Sequence, residues 1–344
     1  MFGFVRLTFG AALLLALVAL GLLRPAAAQD AARPVGRILV PRDAAVWTVQ
    51  AASGAEQLVA SSPDQGPILD AALSPDGQQA VYARIAVTGE LGSALYVVPA
   101  NGGTPRLLLD HDAPGAMLTM PIWAADGASI LYTYTPYAVG TSGPDAEPRV
   151  ERIRPDGSGR EVVVREATSP APSADGQTLA YLRSTRVGDA LWLADATGAN
   201  GRELVPDSRF LSLAYPRLSP DGTQVAFAAT VDLATPSAPS GPYTPPGPTG
   251  PTGPSLPRTP FAWHPAPGAM HGLPWDIWLI GTDGSGLRRL TYMAEDDPSL
   301  AWSPDGRWLA IQGGSGLTLV EVSSGHTERL SREAAFGAID WGRE

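Results

Sequence analysis

One short phrase recurs five times in this chain and limits its fold more than any other feature. Each copy ends in Asp-Gly, and the aspartates follow one another at intervals of 50, 49, 46 and 84 residues. Each copy leads into an alternating apolar segment such as 80–83 or 225–228, which is typical of a strand after a tight turn. The repeat predicts five strand–turn–strand units, with turns at Asp76, Asp126, Asp175, Asp221 and Asp305.

A second pattern lies between these copies and occurs six times. It consists of an apolar strand, a Gly-containing turn and another strand, at 46–58, 95–108, 150–163, 191–204, 277–290 and 317–330. Together the two patterns predict repeating units of four strands, joined by tight turns between the first and second strands and between the third and fourth.

One of the six units lacks its first strand, and the two chain ends supply it. Residues 36–59 hold only a second, third and fourth strand, whereas 337–341 match the run into Trp302 and then stop. Pairing of the two ends closes a ring and removes exposed sheet edges. With 1–28 and 234–273 set aside, about 46 residues remain for each unit, the length of a four-stranded propeller blade. The sequence predicts an all-β, six-bladed β-propeller over 36–344.

The repeated residues resemble those of TolB-type (WD40-like) six-bladed propellers. The resemblance rests on the Ser-Pro-Asp-Gly phrases at 74–77, 219–222 and 303–306 and on the hairpin at 278–291. The family includes periplasmic TolB, the propellers that precede prolyl-oligopeptidase-type hydrolases, and many exported proteins. TolB carries an α/β domain before its propeller, whereas only a few residues separate Gln29 from the first strand here. We expect neither that domain nor a hydrolase domain after Glu344, and therefore a stand-alone propeller rather than TolB itself.

The first 28 residues have the pattern of an export signal. Arg6 supplies positive charge, residues 7–23 are mostly apolar, and the small residues 26–28 precede Gln29. We expect cleavage before Gln29, which places the protein in the periplasm, at the cell surface or outside the cell. An uncleaved anchor stays open because the apolar stretch is close to the length that spans a bilayer; only that form would contact a membrane.

Composition excludes several classes of function. The chain has no cysteine, which excludes disulfides and thiolate chemistry. All 24 basic residues are arginine, so neither a lysine Schiff base nor a P-loop lysine is available. A formal net charge of −10 argues against a nucleic-acid partner, which requires a basic surface. A basic partner or a cation fits this charge better.

Long connections should all lie on one face of the propeller. The segments 110–120, 135–148, 206–215, 231–274 and 292–298 join second to third strands or one unit to the next. Variable loops on a rigid scaffold are the usual place of recognition. We therefore predict a binding rim of acidic and aromatic residues at Asp110, His111, Asp112, Asp207, Tyr215, Tyr292, Glu295, Asp296 and Asp297, with Tyr137, Asp145, Glu147 and Phe210 in the same loops. Solvated loop carboxylates without any partner are the alternative.

A Pro/Gly-rich insertion at 231–274 falls within the fourth Asp-Gly unit. Such a run does not build a core, but its end is aromatic and includes Trp263, His264, His271 and Trp275. This segment is interpreted as an arm that docks on a partner or folds over the channel mouth. A passive spacer is the alternative.

The sequence contains no recognisable catalytic motif. It has neither a Gly-x-Ser-x-Gly elbow nor His-Glu-x-x-His spacing. The five Asp-Gly aspartates are interpreted as turn residues that hold backbone N–H groups. The segment 110–112 resembles a fragment of a metal site, but adjacent residues rarely reach one ion together. No cofactor or metal is predicted, although a bound cation such as calcium stays open.

We therefore expect an extracytoplasmic binding module or scaffold that recognises a protein, peptide or polar ligand through its acidic long-loop face. A protein or peptide of the cell envelope is the expected partner. Two alternatives stay open: a carbohydrate- or peptide-processing enzyme that uses rim carboxylates such as Asp112 or Asp297, and a membrane-anchored structural module.

Overall fold

Six four-stranded antiparallel sheets contain all 24 strands of the part of the chain that is described. A computed structural model describes residues 34–87, 89, 91–136, 147–234 and 273–343. The predicted export signal at 1–28, Tyr137, Asp145 and most of the insertion, with Trp263, His264 and His271, lie outside these residues. None of the described residues belongs to a helix long and apolar enough to cross a bilayer.

The strands follow the repeat along the chain. The first twelve are β1 (Arg37–Arg42), β2 (Ala45–Gln50), β3 (Glu56–Ser61), β4 (Ile68–Leu73), β5 (Gln79–Ile85), β6 (Ser93–Pro99), β7 (Arg106–Leu109), β8 (Met117–Trp123), β9 (Ile130–Thr135), β10 (Arg149–Ile153), β11 (Glu161–Arg165) and β12 (Thr168–Pro172). The others are β13 (Thr178–Ser184), β14 (Asp189–Asp195), β15 (Arg202–Val205), β16 (Phe210–Leu218), β17 (Gln224–Asp232), β18 (Trp275–Gly281), β19 (Arg288–Arg289), β20 (Ser299–Trp302), β21 (Trp308–Gly313), β22 (Gly316–Glu321), β23 (Thr327–Ser331) and β24 (Asp340–Gly342).

Sheet 1 is closed by the two ends of the described chain. Its strand order is β24-β1-β2-β3, and β24 pairs with β1 in the register Ile38↔Trp341 and Leu39↔Asp340. Sheets 2 to 6 each take four consecutive strands, β4–β7, β8–β11, β12–β15, β16–β19 and β20–β23. The predicted six-bladed propeller, with its first blade closed by a C-terminal strand, is confirmed.

Apolar side chains fill the space between neighbouring sheets. Six buried clusters are present among the described residues, each between two neighbouring sheets, so both faces of most strands are apolar. The cluster between sheets 6 and 1, for example, brings Trp308 and Leu319 against Ile38 and Trp341. Burial on both faces explains why central strands such as β17 read as nearly continuous apolar runs.

Each Asp-Gly phrase forms a tight turn between the first and second strands of a sheet. The aspartate Oδ1 accepts a hydrogen bond from the main-chain N–H two residues later, at 2.9 to 3.1 Å in the five copies. The glycine after it has φ between 67° and 72° in every copy, a left-handed conformation that glycine adopts without a steric penalty.

Two connections are shorter than the sequence suggested. Strand β8 begins at Met117 and β16 at Phe210, so 117–120 and 210–215 are strand rather than loop. Phe210 lies fully buried among the residues between sheets 4 and 5. The polar and small residues near these strand starts hid their alternation in the sequence.

Candidate binding face and channel

The two faces of the propeller differ in the length of their connections. The turn face carries the five Asp-Gly turns and the hairpins between third and fourth strands. The long-loop face carries the links between second and third strands and between sheets, among them 62–67, 86–92, 110–116, 185–188, 206–209, 290–298 and 332–339. Three links on this face, at 43–44, 166–167 and 314–315, are only two residues long.

Exposed large apolar side chains concentrate on the long-loop face. Among the described residues, eight lie on this face, three on the outermost strands and one on the turn face. The eight are Val87, Leu91, Val187, Leu211, Val231, Leu233, Tyr292 and Phe336; the outer-strand residues are Leu58, Leu107 and Val162, and the turn-face residue is Val35. Single exposed apolar residues are common, but their number differs clearly between the two faces of this one molecule.

The segment Asp110-His111-Asp112 does not converge on one ion. The Asp110 Oδ1 lies 2.9 Å from His111 Nδ1. Asp112 instead accepts hydrogen bonds of 2.7 Å from the hydroxyl of Tyr134 and from Arg160 Nη1. Burial would raise the pKa of Asp112, but these two hydrogen bonds outweigh it and lower the pKa below its usual value. An ionised, paired carboxylate of this kind is a weak general base.

Arg160 connects this rim to a buried network. Its Nε donates a 2.7 Å hydrogen bond to the carboxylate of Glu151. This carboxylate also accepts hydrogen bonds of 2.6 Å from Arg149 Nε and from the hydroxyl of Tyr132. Glu151 is buried on β10. Burial would raise its pKa, but the hydrogen bonds from Arg160, Tyr132 and Arg149 lower it. Asp112 is therefore held in place from the interior of sheet 3.

Two other predicted rim residues lie on the long-loop face. Tyr292 is 79% exposed, and the guanidinium of Arg289 lies 4.3 Å from its ring centre. Asp207 accepts a 2.8 Å hydrogen bond from the hydroxyl of Thr185 in the neighbouring loop. Both side chains are available to a partner that approaches this face.

Three residues that the sequence assigned to the rim or the arm are buried instead. Glu295 accepts hydrogen bonds from the hydroxyl and the main-chain N–H of Ser315, so it fixes its loop to sheet 6. Trp275 is the first residue of β18 and packs in the cluster between sheets 5 and 6, because the alternation with Ile277 begins there. Tyr215 lies on β16 and is buried in the same cluster.

Polar residues from the innermost strands meet at the centre of the ring. Asp70 on β4 accepts 2.8 Å hydrogen bonds from the main-chain N–H groups of Met120 and Ala338, which come from the two neighbouring sheets. Asp340 on β24 accepts 2.8 Å from the N–H of Leu73. Each carboxylate thus connects innermost strands of adjacent sheets.

Opposite Asp70 lie Tyr215 and Arg217, both on β16. Arg217 is 9% exposed; its Nη1 donates to the carbonyl of Pro216, and its Nε has no hydrogen-bond partner among the described residues. Burial lowers the pKa of Arg217, and the charges of Asp340 and Asp70 oppose this effect. Burial also raises the pKa of Tyr215, assisted by the charge of Asp297. Asp297, a predicted rim residue, is thus close enough to the channel to affect the pKa of Tyr215. Asp296 precedes it in the same loop.

Sequence reasoning missed the channel residues Asp70, Arg217 and Asp340. A usable signal was present, because each is a charged residue in or beside a largely apolar run that forms a first strand, as in 68–73. A charge in such a position requires internal partners.

No group of three or more His, Cys, Asp or Glu side chains within the described ranges is arranged to hold a metal ion. Cavities open at the surface on both faces of the described part of the chain. One of about 330 Å³ lies on the turn face between the Asp-Gly turns of sheets 5 and 6, beside Pro220 and Trp302. The other, of about 150 Å³, lies on the long-loop face between sheets 3 and 4.

Comparison with known proteins gives the class of the fold. No protein-family model matches the chain. The uncharacterized protein Atu1656 of Agrobacterium fabrum is 31% identical over 172 residues, 46% of this chain and 50% of that protein. The chain thus spans about half the length of the curated relative that it matches.

Solved structures give longer matches at lower identity. TolB from Acinetobacter baumannii superposes with a TM-score of 0.61 at 15% identity, over 90% of this chain and 67% of that chain. A TolB candidate from Agrobacterium tumefaciens superposes with a TM-score of 0.54 at 19% identity, over 79% of this chain and 83% of that chain. A chain of a nidogen/laminin complex superposes with a TM-score of 0.57 at 12% identity, over 89% of this chain and 97% of that chain. The protein is a six-bladed β-propeller with the TolB-type fold.

Proposed function

We propose that this protein is an extracytoplasmic binding module that recognises a protein or peptide through its long-loop face. The observation that carries the proposal is the distribution of exposed apolar side chains: Leu91, Val187, Tyr292 and five others lie on the long-loop face, against Val35 alone on the turn face. Apolar and aromatic side chains supply most of the binding energy at protein interfaces.

Charge supports a partner with basic groups. The chain has a formal net charge of −10, and the exposed carboxylate of Asp110 and the half-buried carboxylate of Asp207 stand on the same face as Tyr292. Complementary charge increases the association rate and favours the correct partner over others. The partner we propose therefore presents apolar side chains together with arginine or lysine.

An extracytoplasmic location is part of the proposal. It is supported by the export-signal pattern of residues 1–28. The TolB-type fold agrees with it, because TolB-type propellers include envelope proteins.

Native capture from an envelope extract of the source organism tests the proposed function. The bait is the wild-type chain, the variant Val187→Asp, or the matched variant Val35→Asp, which changes an equally exposed valine on the turn face. We expect the wild type and Val35→Asp to retain the same protein and Val187→Asp to lose it. Equal retention by all three baits would contradict recognition through the long-loop face.

A further inference from the structure

Two glutamates share the cavity of about 150 Å³ between sheets 3 and 4. Glu147 lies in the link before β10, and Glu166 lies in the link between β11 and β12; both line the cavity. They are neighbours at the end of the β10–β11 ladder, beside the hydrogen bond from Ala167 N–H to the Pro148 carbonyl, and the proximity of Glu166 raises the pKa of Glu147. Two carboxylates this close repel each other when both are ionised.

No arginine in the described part of the chain pairs with either glutamate. Other carboxylates of this propeller are neutralised: Glu151 pairs with Arg149 and Arg160, and Glu56 pairs with Arg42 at 2.7 Å. The Glu147–Glu166 pair therefore lacks the positive charge that similar groups have elsewhere in the molecule.

A third oxygen donor at the cavity is also without a partner. Thr168, the first residue of β12, lines the cavity and is 5% exposed. Its Oγ1 is buried and has no hydrogen-bond partner among the described residues. A buried hydroxyl without a partner costs stability, and Thr168 lines the same cavity as the two glutamates, so a cation bound there would supply the missing partner.

We propose that this cavity binds one calcium ion through the carboxylates of Glu147 and Glu166 and the hydroxyl of Thr168. Calcium takes six to eight oxygen ligands in flexible geometry and tolerates several waters among them. The cavity has room for an ion with a few waters, at roughly 30 Å³ for each water. The ion would neutralise the glutamate pair and connect sheet 3 to sheet 4 at the long-loop face.

Calorimetric titration of the full-length, calcium-free protein with calcium chloride tests this site. We expect one bound ion in the wild type and a higher melting temperature in its presence. Glu166→Gln should lower the affinity for calcium at least tenfold. Thr168→Val, which replaces only the hydroxyl by a methyl group, should lower it severalfold. The matched variant Glu203→Gln, an exposed glutamate on β15, should bind calcium as the wild type does.

Three results would overturn the proposal: no heat and no thermal shift in the wild type, unchanged calcium affinity in Glu166→Gln, or an equal loss in Glu203→Gln. Because Glu166 is exposed, its variant keeps the fold, which circular dichroism verifies before titration. Magnesium chloride is titrated in parallel, and equal affinity for magnesium would contradict the assignment to calcium. The site is independent of the proposed partner, so either proposal can fail alone.

Discussion

The carboxylate of Asp70 accepts a 2.8 Å hydrogen bond from the main-chain N–H of Ala338, a residue 268 positions later in the chain. The other oxygen of the same carboxylate accepts from Met120 N–H. One buried side chain therefore joins the innermost strand of sheet 2 to the residues before β24 and to β8. This contact fixes the C-terminal segment of the described chain at the centre of the ring.

Replacing Asp70 with asparagine should destabilise the propeller. In Asp70→Asn one carboxylate oxygen becomes an NH₂ group, which cannot accept from a main-chain N–H. We expect a loss of about 2 kcal/mol in the free energy of unfolding, measured by urea denaturation with tryptophan fluorescence. Asp126→Asn, which alters an exposed turn, is the control. A loss as large in the control would show that the central position of Asp70 is irrelevant.

Closure of sheet 1 depends on Trp341. This side chain is 5% exposed in the cluster between sheets 6 and 1, and its Nε1 donates 3.0 Å to the carbonyl of Val35. Trp341→Ala should cost about 3–5 kcal/mol, measured by chemical denaturation. Trp47→Ala, at a half-buried tryptophan on β2 of the same sheet, should cost clearly less. Similar losses at both positions would contradict a special role for the C-terminal strand.

The pH dependence of stability should have opposite signs at Asp340 and Asp175. Burial raises the pKa of Asp340 above its unfolded-state value near 3.8. The contribution of this group to the free energy of unfolding is therefore complete below pH 3.8 and is lost as the pH rises through the folded-state pKa. The hydrogen bond from Ser173 lowers the pKa of Asp175. Its contribution is present above about 3.8 and is lost as pH falls through the lowered pKa.

Urea denaturation between pH 3 and pH 7 measures both effects. Relative to the wild type, Asp340→Asn should become more stable as pH rises above about 4, whereas Asp175→Asn should become less stable as pH rises through the acidic range. Parallel pH profiles for the two variants would contradict the assignment of one carboxylate to the channel and the other to a solvated turn.

The buried ion-pair network of sheet 3 should matter more than its exposed counterpart. Glu151→Gln leaves Arg149 and Arg160 without their shared carboxylate, and we expect a loss of about 3 kcal/mol in the free energy of unfolding. Glu161→Gln breaks an exposed pair with Arg152 on the neighbouring strands and should change stability little. Thermal unfolding of both variants measures the two losses of stability. Equal losses would contradict a greater role for the buried network than for the exposed pair.

The repeat made the fold predictable because its turn residues have local causes. An aspartate that accepts from the N–H two residues on, followed by a glycine at positive φ, specifies the turn from neighbouring residues alone. The missing first strand at 36–59 likewise predicted β24 and the closure through Trp341.

The site was less predictable because its contacts join distant parts of the chain. The face of the long loops follows from the repeat, and the loops that carry Tyr292 and Asp207 can be assigned to it from the sequence alone. The burial of Glu295 depends on Ser315 in another loop, and the partners of Asp70 come from two other sheets. The Glu147–Glu166 pair lies at the end of the β10–β11 ladder within sheet 3, whereas Thr168 reaches the same cavity from sheet 4.

Site-directed photo-cross-linking tests the central claim, recognition through the long-loop face, most directly. Because the chain has no cysteine, a single engineered cysteine carries the probe without background labelling. Val187→Cys and Val35→Cys present it on opposite faces from valines that are 62% and 59% exposed. In an envelope extract we predict a partner adduct from position 187 and none from position 35. Adducts of equal yield from both positions, or from 35 alone, would contradict the account.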